Sequence, residues 1–422
     1  MLKSNLLNTF LILIILITPI SSGFAISSEN IKKSSYIENL DTCESHIIEG
    51  VPYVGQTNLY CCQASLTMIL KYYDINTTLE EVLYYIGAGY SIGYTYNRLL
   101  LIPFYELSYN KDDMEFLSLI YGLSAEFYHP KIIIEPISWQ IYWEKIKQYI
   151  NRDIPIQTSI DMGTIPYYKD KCPHMTLALH SIVIVGYDEN KDIVYYNDPG
   201  TAVFTNSEDG TYANMSIETL RKAAHRAFFE MKLPLVKKYR IWAYEKVTDP
   251  LPKEKALELA HKRNIQRMKG DKYSYDKDCR KPYREFGINA LERFKRDLES
   301  INPTILTISY KISNITGFFN FYPFASMPKI EKGIYVEKLN ISQFLIKNGN
   351  LSSNCMHDAI LIKQEAQYWK HLSQLHSDLY TAIHTNNILK AIQLSKTILD
   401  KMINVIDVII SIEKLLINDT KI

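Results

Sequence analysis

The sequence predicts an α+β fold in which helices and strands mix up to residue 248 and helices dominate afterwards. Before that point, apolar residues at helical spacing alternate with short β-branched runs. The polar stretch Thr248–Pro252 contains two prolines, which cannot continue a helix or a central strand. We therefore expect one domain over residues 40–248 and a mainly helical domain over residues 249–422.

The composition is that of a packed globular protein. Of 422 residues, 47% are hydrophobic and 22% are charged, which excludes a disordered chain. There are 47 basic and 46 acidic side chains, for a net charge of +1. Because no basic excess is available to neutralise phosphates, we expect no nucleic-acid partner.

Residues 1–25 read as a secretory signal peptide. Lys3 precedes the apolar run Phe10–Ile17, and small residues lead to Ala25. The alternative is an uncleaved N-terminal membrane anchor, although the run is short for a span of about 20 residues. We expect a secreted or extracytoplasmic protein with no integral membrane segment after cleavage.

The first part contains three predicted helices. Gln63–Tyr73 carries apolar residues at i, i+3, i+4 and i+7. Thr78 and Glu81 form a capping box for Leu79–Ile86, which Gly87 ends. The third helix is Ser138–Ile150.

Three predicted strands follow from β-branched runs. Ile154–Ile160 is the first, and the apolar segment Ser181–Val185 is a buried second strand. A turn at Asp188–Asp192 leads into the third strand, Ile193–Tyr196.

The second part is predicted to be helical over Pro252–Arg267 and Ile288–Leu298. Its clearest elements are two long amphipathic helices, Asp358–His384 and Ile388–Ile417, which should pair antiparallel as a hairpin.

Cys61 and Cys62 lie where a loop becomes a helix. Free backbone N–H groups and the positive dipole end at this position can lower the pKa of a thiol and favour the nucleophilic thiolate. Such a nucleophile needs a base and a group that orients the base.

His180 begins the buried strand and is the candidate base. Ladder counting across the hairpin brings position 180 opposite about 198–200, beside Asn197 and Asp198. Either side chain could accept a hydrogen bond from the imidazole, so the orienting residue stays open. Gln56, five residues before Cys61, could donate to a developing oxyanion.

Two blocks resemble the bacteriocin-processing (double-glycine leader) cysteine peptidase-like family of the papain-like superfamily. The first comprises VPYVGQ at Val51–Gln56 and CCQASLTMILKYY at Cys61–Tyr73. The second comprises HSIVIVGYD at His180–Asp188 and NDP at Asn197–Pro199. The family pattern is V-P-Y-x-x-Q, C-G-P-A-S-L-A-M-x-L, then H-x-V-V-V-x-G-Y-D and N-D-P.

The resemblance implies a papain-like domain, with its N-terminal helix packed on an antiparallel sheet, that hydrolyses peptide or amide bonds of a peptide or protein substrate. It implies Cys61 as nucleophile, His180 as base, Asp198 as orienting group and Gln56 at the oxyanion position. Cys62 and Gln63 replace the family's Gly-Pro. The family's Gln often stands six residues before its Cys, a spacing that would select Cys62.

Two further segments, Ile86–Tyr94 and Phe286–Leu291, resemble the butirosin-biosynthesis-protein-H-like family. That resemblance implies an acyltransferase that uses the same thiol ester. A non-catalytic binding module, with Cys61 and Cys62 held in disulfides, is a third hypothesis.

We expect no metal or organic cofactor, because the chain has no H-E-x-x-H, no P-loop motif and no paired C-x-x-C. Six cysteines occur in a chain predicted to be exported, and we expect Cys279 to pair with Cys355.

Overall fold

A computed structural model describes the fold of the chain from residue 43 onward. The described residues are 43–56, 60–90, 92–97, 102–107, 111–130, 135–165, 167–168, 179–204, 210–226, 239–270, 284–313, 334–351 and 353–418. The predicted signal peptide and Cys279, with its predicted bond to Cys355, lie outside these residues. Residues 44–422 form one compact unit.

A seven-stranded antiparallel sheet forms the centre of the first part. Six of its strands run in the order β4-β9-β5-β6-β7-β8, and β1 also pairs with β6. The bounds are β1 Ser45–Ile47, β4 Leu123–Tyr128, β5 Ile156–Asp161, β6 Leu179–Asp188, β7 Ile193–Asn197, β8 Ala213–Ser216 and β9 Ile241–Lys246. The predicted strands are confirmed as β5, β6 and β7.

Helix α1, Cys61–Tyr72, packs on β6 of this sheet. Its apolar stripe is fully buried because Leu66, Ile69 and Leu70 face the core, and nine of the ten residues of β6 are buried. The α+β prediction, with an N-terminal helix on an antiparallel sheet, is confirmed. The remaining helices of this part are α2 Leu79–Tyr85, α3 Lys111–Tyr121, α4 Ile137–Ile150 and α5 Ile217–Arg226.

One of the two hydrogen bonds of the predicted capping box at the start of α2, the one accepted by the threonine side chain, is confirmed. The Thr78 side chain accepts a hydrogen bond from the backbone N–H of Glu81 at 3.3 Å. Gly87 follows the end of α2 with φ of 80°, a left-handed conformation that glycine adopts without a Cβ penalty.

The second part is mainly helical, as predicted. Its helices are α6 Lys253–Met268, α7 Gly287–Glu299, α8 Pro303–Ser313, α9 Ile334–Lys347, α10 Ser353–Ile383 and α11 Ile388–Asn418. The predicted hairpin is confirmed, since α10 packs against α11. No helix in the described ranges is both long enough and apolar enough to cross a membrane.

A small second sheet joins the two parts. It contains β2 Ile92–Asn97, β3 Ile102–Leu107 and β10 Arg284–Phe286, in the order β10-β2-β3. The pairing of β10 with β2 sets Phe286 opposite Gly93, so the two segments that carry the butirosin-type resemblance lie side by side.

Helix α6 caps the end of α2 across the predicted domain boundary. Asn264 donates to the carbonyl of Tyr84 at 3.0 Å, and Arg267 donates to the carbonyl of Ile86 at 2.5 Å. Arg267 and Arg263 also bind the carboxylate of Asp113, which is fully buried. The last carbonyls of a helix lack partners within that helix, so these donors satisfy them. The boundary at residue 248 itself stays a prediction.

Candidate active site

Two thiols open helix α1. Cys61 and Cys62 are its first two residues, both are partly exposed, and both are free thiols. The preceding residue, Tyr60, makes no side-chain capping hydrogen bond to the helix. Its backbone carbonyl accepts the first helical hydrogen bond, from the N–H of Ala64 at 2.9 Å. The amide groups of the first turn therefore face the thiol end of the helix.

His180 lies near the start of β6 and is 3% exposed. Its partner on β5 is Ile160, and three residues further on Val183 pairs with Asn197 of β7. This pairing places the end of β7 beside the imidazole. The Nε2 atom of His180 lies 2.7 Å from Oδ1 of Asp198.

The carboxylate of Asp198 has three hydrogen-bond partners in the described residues. Besides His180 on Oδ1, the backbone N–H of Gly200 donates to the same oxygen at 2.8 Å. The hydroxyl of Tyr168 donates to the other oxygen, Oδ2, at 2.8 Å. All three residues that carry these side chains, Asp198, His180 and Tyr168, are at most 3% exposed.

Asn197, the alternative orienting residue, is engaged elsewhere. Its amide Nδ2 donates to the carbonyl of Val51 at 3.2 Å, and its Oδ1 accepts from the backbone N–H of Tyr212 at 2.7 Å. Tyr212 in turn binds the backbone of Ile48 and Val51 through its hydroxyl. Asn197 therefore fixes the segment before α1, while Asp198 meets the imidazole.

Gln56 lies on that fixed segment and is 4% exposed. Its backbone N–H donates to the carbonyl of Pro199 at 2.9 Å, which anchors it next to Asp198. The neighbouring Gly55 approaches Ala202 so closely that a Cβ at position 55 would come within 2.5 Å of the Ala202 Cβ. The backbone of Gln56 is thus held against the residues that follow β7.

The side chain of His180 contacts Cys61, so the imidazole lies between a thiol and a carboxylate. Burial alone would lower the pKa of His180, but the charge of Asp198 and the contacts with Asp198 and Cys61 raise it to about 10. A general base has to reach the proton it moves within hydrogen-bond distance. Of the two thiols, Cys61 is the one that interacts with His180.

The two thiols also interact with each other. The hydrogen bond with Cys62, together with burial, raises the pKa of Cys61, and His180 opposes both effects. The same bond lowers the pKa of Cys62, and Ser181 and Arg240 act in that direction. The directions of these two shifts make Cys62 the more acidic thiol of the pair. This differs from the low pKa that the helix N-terminus predicted for Cys61.

A buried network of hydrogen bonds holds the backbone of Cys62 against strands β5 and β6. Gln157 of β5, which is 1% exposed, donates to the carbonyl of Cys62 at 3.2 Å and to the hydroxyl of Ser181 at 2.9 Å. Ser65 of α1 donates to the carbonyl of Ser181 at 3.3 Å. These bonds connect the first turn of α1 to the start of β6, and so connect the thiols to the neighbour of His180.

Sequence reasoning missed Tyr168, Gln157 and Gly200. Gln157 had a usable signal, because a polar residue in an otherwise apolar predicted strand has to find a buried partner. Gly200 follows the Asn-Asp-Pro motif directly. No pattern in the sequence pointed to Tyr168, because it lies in turns after β5 where neither helical nor strand periodicity predicts a contact with Asp198.

Gly200 provides a direct test of how tightly this cluster is packed. A Cβ at this position would lie 2.6 Å from the Tyr168 hydroxyl and 2.9 Å from Cε1 of His180. We expect Gly200→Ala to cost about 1–3 kcal/mol of unfolding free energy through overpacking and to slow alkylation of Cys61. Denaturant unfolding and mass-spectrometric labelling rates measure the two effects.

The matched control is Gly50→Ala. Gly50 has φ of 76° but nothing within 4 Å of its Cβ position, so the change strains the backbone without crowding the site. Its labelling rate should equal that of the wild type. Wild-type labelling in Gly200→Ala would contradict the close packing of Gly200 against His180.

The profile of the Peptidase_C39 like family matches residues 48–224. This range contains α1, with both thiols, and the strands that carry His180 and the residues after β7. No curated protein matches the chain. No comparison supports the butirosin-type resemblance, which stays a prediction. Residues 48–224 are therefore similar to the Peptidase_C39 like family, which is consistent with the papain-like cysteine peptidase-like domain that the two sequence blocks predicted.

Proposed function

We propose that this protein is a thiol hydrolase that cleaves peptide or amide bonds of a peptide or protein substrate, with Cys61 as nucleophile. The observation that carries the proposal is the buried imidazole of His180, which binds Asp198 at 2.7 Å and contacts Cys61. With the predicted signal peptide, we place the activity outside the cytoplasm.

In the proposed reaction, the sulfur of Cys61 attacks the substrate carbonyl carbon and forms a C–S bond. His180, which is protonated because its pKa is about 10, gives its proton to the leaving nitrogen as the C–N bond breaks. Water then attacks the thioester and loses a proton to His180. The C–S bond then breaks, the acid product leaves, and the Cys61 thiolate is restored beside the protonated His180.

Cys62 has a part in forming the nucleophile. Because the pKa of Cys62 is lowered, its thiolate can accept the proton of Cys61, which leaves a Cys61 thiolate beside the His180 imidazolium. This ion pair is the reactive form of a thiol nucleophile. Asp198 holds the imidazolium throughout.

The oxyanion that forms on the carbonyl needs donors in fixed positions. We propose that Gln56 and a backbone N–H of the first turn of α1 supply them. The anchoring of the Gln56 backbone to Pro199 supports this role, because it fixes Gln56 relative to the Asp198 and His180 pair.

Exchange of each thiol for serine tests the assignment. With a peptide mixture as substrate, we expect Cys61→Ser to lower turnover at least about a thousandfold, because the nucleophile is lost. Cys62→Ser keeps a polar neighbour and should retain measurable turnover. Product analysis by mass spectrometry follows both variants; loss confined to Cys62→Ser would assign the nucleophile to Cys62.

The same assay separates the acyltransferase hypothesis, which the pairing of the two butirosin-like segments in β2 and β10 favours. An added primary amine should leave the free acid as the main product of a hydrolase. A new amide in its place would assign acyl transfer, which shares the thioester and differs in the acceptor.

A further inference from the structure

Both oxygens of the Asp198 carboxylate have defined partners. Oδ1 meets Nε2 of His180 at 2.7 Å and the backbone N–H of Gly200 at 2.8 Å, whereas Oδ2 accepts from the Tyr168 hydroxyl at 2.8 Å. Rotation of the carboxylate about its own axis would break all three bonds. The donor on Oδ2, together with Gly200 on Oδ1, therefore fixes the plane of the carboxylate relative to the imidazole.

A series of tight turns brings Tyr168 to this position. At the end of β5, Asp161 accepts hydrogen bonds from Gly163 and Thr164, each at 3.1 Å. The next backbone bonds, from Ile165 to Met162 and from Tyr168 to Ile165, are also 3.1 Å long. Since Asp161 pairs with Leu179, next to His180 on β6, these turns fix Tyr168 relative to the imidazole.

The surroundings of Tyr168 leave little freedom for its ring. The side chain is fully buried, its ring meets that of His180 edge-on at 5.9 Å, and its hydroxyl lies next to Gly200. Burial and the negative charge of Asp198 raise the pKa of Tyr168, so the phenol keeps its proton and stays a donor. Burial and the charge of Asp198 also raise the pKa of Tyr196.

We propose that Tyr168 is a positioning residue for the Cys61–His180–Asp198 site, whose hydroxyl holds the Asp198 carboxylate in the orientation that meets His180. The proposal rests on the function given above and adds Tyr168 to the residues that form the site. The Tyr168 hydroxyl acts through Asp198.

The test is Tyr168→Phe in the full chain, followed by NMR titration of the His180 imidazole. Without its donor, the buried Oδ2 has to turn away or take up a proton, and either change reduces the negative charge facing Nε2. We expect the pKa of His180 to fall from about 10 by about one unit or more, a tenfold change in its protonation equilibrium. Alkylation of Cys61 at pH 7 should slow, to a rate between those of the wild type and His180→Ala.

The matched control is Tyr142→Phe, which removes another fully buried hydroxyl from the same domain. Tyr142 binds Thr158 of β5 at 2.6 Å, so its loss costs a comparable hydrogen bond away from Asp198. It should leave the His180 titration unchanged. An unchanged titration in Tyr168→Phe, or an equal shift in Tyr142→Phe, overturns the proposal.

The titration reads the Asp198–His180 pair directly and does not need the thiol to react. If His180→Ala left the reactivity of Cys61 unchanged, the proposed function would fail, and the titration would still decide whether Tyr168 positions the pair. If His180→Ala slowed Cys61 but the pKa of His180 in Tyr168→Phe equalled the wild-type value, the positioning role of Tyr168 would be wrong and the proposed function would stand.

Discussion

His180→Ala is expected to slow alkylation of Cys61 by a neutral haloacetamide at pH 7 by at least about tenfold. The His180 imidazolium lowers the pKa of Cys61, whereas Cys62 and burial raise it. If the pKa of Cys61 rises by about one unit when His180 is removed, the fraction of Cys61 present as thiolate at pH 7 falls about tenfold. Peptide mapping by mass spectrometry separates the labelling of Cys61 from that of Cys62. Turnover of a peptide substrate should fall by about 10²–10⁴-fold, the usual contribution of an acid–base group.

The effect has a defined pH dependence. His180 is protonated below its pKa of about 10, so the difference between wild type and variant is largest below that pH and disappears above it. Because 6.5 is the ordinary value, the pair with Asp198 contributes its full stability below about pH 6.5 and loses it as the pH rises through about 10. Stability of the wild type should therefore decline over this window more than stability of the variant.

The control for His180→Ala is His46→Ala. His46 also pairs with a carboxylate, Asp153 at 2.8 Å, but it lies opposite Tyr187 near the other end of β6. We expect its labelling profile to match the wild type. Equal rates of Cys61 alkylation in the wild type and in His180→Ala would show that the imidazole does not activate the thiol.

Asp113→Ala is expected to destabilise the protein by about 3–5 kcal/mol. Asp113 and Arg267 are both fully buried, and removal of the carboxylate leaves a buried guanidinium without its counter-charge. Arg263, the second partner at 2.6 Å, loses its carboxylate as well. Urea unfolding at pH 7 measures the change in unfolding free energy.

A second variant distinguishes the lost charge pair from a packing defect. Replacement of both partners, Asp113→Leu with Arg267→Met, removes the unpaired charge and should recover much of the loss. Glu258→Ala breaks exposed ion pairs with Lys255 and Lys262 and should change stability little. A loss below about 1 kcal/mol in Asp113→Ala would contradict the buried-pair interpretation.

Local patterns in the sequence predicted the elements that carry the candidate site. The periodicity of Gln63–Tyr73 gave α1, and the β-branched run after His180 gave β6 and its hairpin with β7. The long helices α10 and α11 followed from their apolar stripes. These signals are local, so one sequence is sufficient to see them.

The choice between Asn197 and Asp198 could not be made from the sequence. Successive residues of a strand point to opposite faces, so a shift of one residue exchanges their roles. The ladder between β6 and β7 contains such a shift, between Ile184 and Gly186. Ladder counting therefore located the end of β7 but could not decide which side chain faces His180.

The remaining features depend on contacts between distant parts of the chain. Strand β9 lies between β4 and β5, although 79 residues of sequence separate it from β5 and 112 separate it from β4. Tyr168 reaches Asp198 through turns that follow no period, and the arginines of α6 resemble an ordinary solvated helix face until their buried partners are known.

The capping of α2 by α6 has a consequence for how the chain can be divided. Three carbonyl groups at the end of α2, those of Tyr84, Tyr85 and Ile86, take donors from Arg263, Asn264 and Arg267. A fragment that stopped at residue 248 would expose these groups one helix away from α1, because α1 and α2 pack together. The part of the chain that carries Cys61 therefore depends on α6 for part of its support, and the two parts should be produced together as one polypeptide.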